Sequence, residues 1–382
     1  MEFTHVSLDA VPVTKPGPHA AASRRTFQGI PSIAHVPGGR LFAVWYAGGT
    51  TECRENYVLL VVSDDGGRTW SEEAVAVVDP PHPLVRAFDS NLWLGPDGVL
   101  RWFWSQSCAG PDGSWTPYDG IAGVFVSELA NPLDPPRDFR FSTPRRIANG
   151  IMMNKPTVLA DGAWLLPCSV WTGPSYLRHP SLDVHQGAAI VASEDGGQTY
   201  HVRGRIDMSQ VEGGPCFDEH QVIQLRDGSL ACYLRVRRGI AESRSQDGGQ
   251  TWTPPRLRGD APLIGPNSRF FIARLRSGRL LLVNHDSAAA RERLTAFLSD
   301  DDGLSWPHRL LLDPRPGVSY PDATQLPDGS LRIIHDHDRQ QGGHILVSAL
   351  REDDILAGRL VSPDAFLCRL AAHSAPVPPP RR

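Results

Sequence analysis

No stretch of the 382 residues approaches the ~20 consecutive apolar residues that a bilayer-spanning helix needs, so the sequence predicts no membrane protein. It also lacks a charge excess of either sign. Lys and Arg total 38 against 42 Asp and Glu, for a formal charge of -4, which leaves no electrostatic case for nucleic acid or an acidic membrane surface as partner. The six cysteines, Cys53, Cys108, Cys168, Cys216, Cys232 and Cys368, are widely and irregularly spaced, with no CxxC and no zinc pattern. Reduced thiols are expected, with no metal and no cofactor. The first residues, MEFTHVSLDAVPVTKPG, show no basic segment followed by an apolar one, so a cytoplasmic protein is expected, monomeric or a small homo-oligomer. Long runs free of helix breakers are scarce too: 36 Gly and 34 Pro make about 18% of the chain against a usual ~12%, which excludes a helical bundle.

What is present is periodic. SDDGGRTW (63–70), SEDGGQTY (193–200), SQDGGQTW (245–252) and SDDDGLSW (299–306) share Ser-x-Asp-x-Gly-x-Thr/Ser-aromatic, each after a short apolar strand. The Ser hydroxyl and Asp carboxylate can bond to turn amides, Gly can take positive φ, and the aromatic can anchor the turn. These aspartates are therefore read as turn residues, neither catalytic nor calcium-binding. A second repeat joins strands at tight turns marked by Gly39, Gly98, Gly162, Gly228, Gly278 and Gly329, at intervals of 59, 64, 66, 50 and 51 residues. Six such units fit four-stranded blades and predict an all-β, six-bladed β-propeller over residues 1–370, with a Pro-rich disordered tail over 371–382. The Ser-x-Asp turn is absent from two units, near GVFVSELANPLDPP, where Ser127 remains, and in HILVSALREDDILAG.

A propeller collects polar groups where strand ends and loops meet around its axis, away from the Ser-x-Asp turns. The candidates are Glu52, Arg54 and Glu55 in TECRENY; Asp218, Glu219 and His220, with Arg235 and Arg237 on the next strand; His285 and Arg291; Tyr320 and Asp322; and His335 in HDHDR. Asn154, Lys155 and Arg269 stand before strands at recurring positions. A lone Arg on a rim is ordinarily solvated. Arg235, however, lies inside the apolar run ACYLRV, where an unpaired guanidinium is costly, and Glu219 is the nearest acid by strand pairing. A buried guanidinium facing a pocket is a good carboxylate receptor. Tyr320, before a proline, is either a packed strand-start residue or an activated nucleophile. The tryptophans are expected in blade packing, with Trp115 or Trp171 as a sugar platform.

These repeats and segments resemble the sialidase (neuraminidase) superfamily, in particular bacterial proteins with BNR/Asp-box repeats, over roughly residues 27 to 358. The resemblance implies a six-bladed propeller whose hydrolases bind a substrate carboxylate with three arginines and use a Tyr nucleophile, a Glu partner and an Asp acid/base. EHQVIQLRDGSLACYLR resembles the segment bearing the Glu and the second arginine, at Glu219 and Arg235; RERLTAFLSDDDG the third arginine, at Arg291; GVSYPDATQLPDG the nucleophile, at Tyr320. Two positions depart: FQGIPSIA has Gly29 where the first arginine belongs, and TECRENY has no Asp, leaving Glu55 or Glu52 as the acid. Loss of one arginine weakens a sialic acid clamp, so the expectation is a glycosidase for a small acidic glycoside rather than a true sialidase. The rival readings are a non-catalytic carbohydrate-binding propeller, or a His/Tyr-based hydrolase or lyase for uronic-acid or deoxy-sugar glycans.

Overall fold

Apolar runs of about seven residues, each stopped by a turn, pair most readily with their neighbours in the chain and form antiparallel meanders. The computed structural model describes residues 12–80, 85–108, 122–170 and 187–375. Six sheets follow one another around an axis as a six-bladed β-propeller. The innermost strands are Gln28–His35, Val85–Leu94, Pro215–Gln224, Phe271–Arg274 and Val318–Gln325 in blades 1, 2, 4, 5 and 6; in blade 3 the inner strand is split into Ile151–Met152 and Thr157–Val158. Blades are four-stranded except the first, where Pro12–Val13 adds a fifth, outermost strand.

The six marker glycines all take positive φ, from 78° at Gly98 to 100° at Gly39, between the first and second strands of each blade. A Cβ at Gly39 would meet nothing within 4 Å, so the left-handed backbone alone selects glycine there. The Ser-x-Asp turns join the third strand to the fourth. In the first, Ser63 Oγ donates to Asp65 Oδ1 (2.9 Å) and accepts the Gly67 amide (3.0 Å), while Asp65 accepts the Arg68 and Thr69 amides and the Thr69 hydroxyl. The Thr251 hydroxyl and amide and the Ser245 hydroxyl hold the equivalent Asp247 down at about 2. As expected, these aspartates close turns.

Each box also receives an arginine from the preceding blade: Arg332 donates to Gly66 O, Arg145 to Gly197 O, Arg203 to Gly248 O and Arg258 to Gly303 O. Where the box is missing, another polar residue organises the turn. Asn131 accepts the Arg140 amide and donates to Asp138 O in blade 2; buried Asp354, in the short helix Glu352–Ala357, accepts the Val361 and Ser362 amides in blade 6.

The ring closes between blades 6 and 1 through side chains. Asp336 Oδ2 accepts the Ile30 amide (2.8 Å), Asp322 Oδ2 accepts the Ser32 hydroxyl (2.5 Å) and the Ile33 amide (2.8 Å), and Gln28 donates to Gly343 O. The last strand, Phe366–Ala372, runs past residue 370, and the Ala375 amide donates to Arg25 O. Trp45, Trp93, Trp102, Trp104 and Trp164 are buried in blade packing; Trp115 and Trp171 lie outside the described residues. The described thiols Cys53, Cys168, Cys216, Cys232 and Cys368 are free. Among the described residues no helix is long and apolar enough to cross a membrane.

The meander puts both kinds of turn at one end of the axis. The loops from second to third strands, including 48–56, 286–293 and 338–343, lie at the other end with the starts of the inner strands.

Candidate functional site

At that second end the inner strands break register, between Gly29 and Ser32, Phe88 and Asn91, Pro215 and His220, and Ser319 and Asp322. A bulge re-aims the side chains it carries. Ile30, Asp89 and Tyr320 take φ of 60°, 44° and 51° at these breaks. For an L-residue with a side chain that conformation costs on the order of 1–2 kcal/mol. Its recurrence in three blades fits strain concentrated at a working site. The bulge at Tyr320 is pinned by Asp336, which accepts the Ser319 hydroxyl (2.5 Å) with the oxygen not used by Ile30.

Tyr320 is 6% exposed, with its ring among guanidinium groups. Arg235 Nη1 lies 3.4 Å from its hydroxyl and 2.6 Å from Glu219 Oε2, so one nitrogen links phenol and carboxylate. This is the partner the apolar surroundings of Arg235 demanded. Burial works against the charge on Arg235, and Glu219 more than restores it, holding its pKa above the ordinary value. The Arg291 and Arg339 guanidinium carbons lie 5.3 and 4.8 Å from the Tyr320 ring centroid, within the range of cation–π attraction. Asn267 organises two of the arginines: its Oδ1 accepts from Arg235 Nε (2.7 Å) and its carbonyl from Arg291 Nη2 (2.8 Å).

Three carboxyls at this end of the propeller differ sharply. Glu52, on the loop after Leu41–Ala47, pairs with Arg339 Nη2 at 3.1 Å and is 42% exposed. Glu55 pairs with exposed Arg54, and a hydrogen bond from the Cys53 thiol holds its carboxyl below the usual range. Asp89 is buried, and desolvation pushes it up to about 7; Arg86 opposes this, while Glu52 and Glu219 add to it. A carboxyl so placed is half protonated near neutrality and can give or take a proton.

The structure thus gathers Tyr320, Glu219, Arg235 and Arg291, with Glu52 attached through Arg339. Asn154, Lys155, Arg269 and Asp322 form a different layer further along the inner strands. Asp322, fully buried, accepts from Ser32, Ile33 and Lys155; Arg269 Nη2 is 3.8 Å from its other oxygen; Arg269 Nε donates to Asn154 Oδ1, and Asn154 Nδ2 to His220 O. These side chains tie inner strands of different blades together.

The histidines sit within the blades. His220 Nε2 is 2.9 Å from Ala189 O, His285 Nε2 is 3.0 Å from Val318 O, and His335 Nε2 is 3.1 Å from Asp313. Burial lowers His285 to about 4, so it is neutral at pH 7. Arg237 does not share a strand face with Arg235, because the strand ends at Val236 and Arg237 is exposed beyond it. Of Asp218 only the backbone is described. Asp89, the approach of Arg339 to the Tyr320 ring and the two-arginine role of Asn267 carry no signal in the sequence.

Asp313, His335 and Cys368 bring ligand atoms within 4.8 Å of one another where blade 5 meets blade 6, but Arg315 already holds both Asp313 oxygens (2.9 and 2.6 Å). A cavity of about 710 Å³ opens at the tight-turn end, between His35, Leu94, Val158, Leu225, Leu275 and Pro327, and its lining does not include Tyr320, Glu219 or Arg235.

A family model described as "BNR repeat-like domain" matches residues 39–333. A sialidase of Micromonospora viridifaciens is 24% identical over 344 residues, 80% of this chain and 49% of that protein, so the chain spans about half the length of that relative. Among solved structures, Hadza microbial sialidase Hz136 superposes with a TM-score of 0.67 at 18% identity, covering 87% of this chain and 67% of the other. The intramolecular trans-sialidase from Ruminococcus gnavus, in complex with oseltamivir carboxylate, superposes at 0.62 with 14% identity, covering 90% and 98%. At such identities the structural likeness establishes the fold alone.

Proposed function

The chain belongs to the sialidase-like BNR-repeat family of glycosidase-type propellers, and from that premise we propose that it is an exo-acting glycoside hydrolase for a small acidic glycoside or oligosaccharide. The observation that carries this reading is the single Arg235 nitrogen shared by Glu219 and the Tyr320 hydroxyl, at 2.6 and 3.4 Å, on a bulge held in a left-handed conformation. Sharing one Arg235 nitrogen with the Tyr320 hydroxyl, Glu219 is read as the acceptor of the phenol proton and Tyr320 as the nucleophile. The Tyr320 oxygen bonds to the anomeric carbon as the glycosidic C–O bond breaks, and the leaving oxygen takes a proton. Water then attacks the glycosyl–tyrosine bond, gives its proton to the same acid/base and releases the sugar with retention.

The acid/base is assigned to Asp89 in preference to the loop glutamates. Glu55 is held below its ordinary range, and Glu52 is the exposed counter-ion of Arg339, whereas burial keeps Asp89 near 7. Arg235 and Arg291, spaced by Asn267, are the receptors for the acidic group of the substrate. Gly29 argues against an unmodified sialidase clamp.

A panel of aryl and natural α-glycosides, including sialosides and uronides, tests the reading, with Tyr320→Phe as control. An acidic member is expected to be cleaved, at a rate at least 100-fold lower in Tyr320→Phe. Hydrolysis unaffected by the substitution removes Tyr320 from the chemistry. Binding of an acidic sugar without turnover of any member assigns the chain to the non-catalytic, carbohydrate-binding class.

A further inference from the structure

Gly29 looks like a simple loss, but its surroundings are full. A Cβ built on Gly29 would lie 2.2 Å from Cδ and 2.6 Å from Cγ of Arg339, and 3.0 Å from Asp336 Oδ2. No side chain fits at position 29 while Arg339 stays where it is. The direction in which residue 29 would project is occupied by the stem of an arginine from the opposite side of the ring closure. Arg339 follows the second strand of blade 6, in the same inter-strand loop that carries Arg291 in blade 5. Both guanidinium groups come to the Tyr320 ring, at 4.8 and 5.3 Å.

The state of Arg339 points to a ligand. Its side chain is 14% exposed, Nη2 pairs with Glu52 at 3.1 Å, and Nη1 is buried with no hydrogen-bond partner among the described residues. A buried guanidinium N–H without an acceptor is costly, and a planar carboxylate is the shape that satisfies a guanidinium fork. Glu52 is itself a carboxylate, on an exposed loop, and forms the ion pair that Arg339 makes among the described residues.

We propose that Arg339 takes over the anion-binding place vacated at Gly29, completing with Arg235 and Arg291 a three-arginine receptor for the substrate carboxylate, and that Glu52 is the resident counter-ion which that carboxylate displaces. The proposal rests on the glycosidase reading only in locating the sugar over Tyr320; its test reads binding, not turnover.

The probes are N-acetylneuraminic, glucuronic and galacturonic acids, each beside its methyl ester, titrated calorimetrically into the full chain. At least one acid is expected to bind 10-fold or more tighter than its ester. Arg339→Ala removes that preference, and Glu52→Gln tightens the acid without tightening the ester. Since Arg339→Ala alone can disturb the packing, the reciprocal Gly29→Arg/Arg339→Gly variant returns the arginine to the strand and is expected to recover most of the acid-over-ester ratio. Gly29→Arg alone forces two side chains into one space and lowers the melting temperature, and removal of Arg339 in the double variant relieves it. Equal affinity for acid and ester in the wild type, an acid preference that survives Arg339→Ala in a folded protein, or failure of every acid to bind overturns the proposal. Acid selectivity in a protein whose glycosidase activity ignores Tyr320→Phe keeps the receptor and discards the nucleophile; turnover with no acid preference does the reverse.

Discussion

Replacing Asp322 by Ala separates an architectural carboxylate from a ligand contact. Asp322 is fully buried, accepts the Ser32 hydroxyl and Ile33 amide across the ring closure, pairs with Lys155 and stands 3.8 Å from Arg269. Truncation leaves two cationic side chains and two donors without their acceptor. Breaking a buried pair from one side costs about 3–5 kcal/mol, and the lost hydrogen bonds are part of that sum rather than additional to it. With an unfolding entropy of ~2.1 cal/mol/K per residue, the 382 residues give about 0.8 kcal/mol/K, so the melting temperature should fall by about 4–6 °C.

The defect should also depend on pH. Burial already holds the Lys155 pKa below its ordinary value against the pull of Asp322, and without Asp322 it falls further. The unfolded chain then binds one more proton than the folded one between the folded and unfolded pKa values, so stability rises with pH across that window. The loss in Asp322→Ala should accordingly be smaller at pH 9 than at pH 6. Scanning calorimetry of wild type and variant at both pH values checks this. A shift under 1 °C, with affinity for the acidic probe lost, refutes the reasoning and makes Asp322 a substrate contact.

If Asp89 is the proton donor, kcat/KM falls as pH rises through about 7, and Asp89→Asn removes that limb with most of the activity on unactivated glycosides; a limb that persists in the variant assigns the proton to another group. The same elevated value means that the folded state holds a proton the unfolded chain releases between about 4 and 7. Stability should therefore decline with rising pH over that window, and Asp89→Asn should flatten the decline. Asn267→Ala removes the acceptor of Arg235 Nε while leaving the backbone carbonyl, so KM for an acidic substrate should rise ~10-fold with a smaller change in kcat; equal loss for acid and methyl ester contradicts a charge-positioning role.

The legible parts of this molecule are those written in consecutive residues. The Ser-x-Asp turns and the six glycine turns each close within a few positions, so their chemistry is visible in a line of text and their repetition counts the blades. Arg235 and Glu219 were also readable, because a charge inside ACYLRV must find its partner on the neighbouring strand. The rest depends on the ring. Asp322, Lys155, Asn154 and Arg269 present themselves as separate polar residues, and only the meeting of three blades at the axis turns them into a buried network.

Asp89 carries no local mark until the bulge aims and buries it. Arg339 reads as the end of HDHDR, and its relation to Gly29 spans 310 positions. The histidines run the other way: in the sequence His220, His285 and His335 read as candidate site residues, whereas carbonyls and Asp313 in the blades engage them.

The central claim is that Tyr320 attacks the anomeric carbon, and trapping the covalent intermediate tests it most directly. A slow-turnover fluorinated glycosyl fluoride of the acidic sugar that the substrate panel selects would be incubated with wild type and Tyr320→Phe, followed by intact-mass and peptide analysis. One glycosyl group on the peptide containing Tyr320, absent from the variant, is the predicted result. A label on any other residue, or turnover of the reagent at the wild-type rate by Tyr320→Phe, would contradict it.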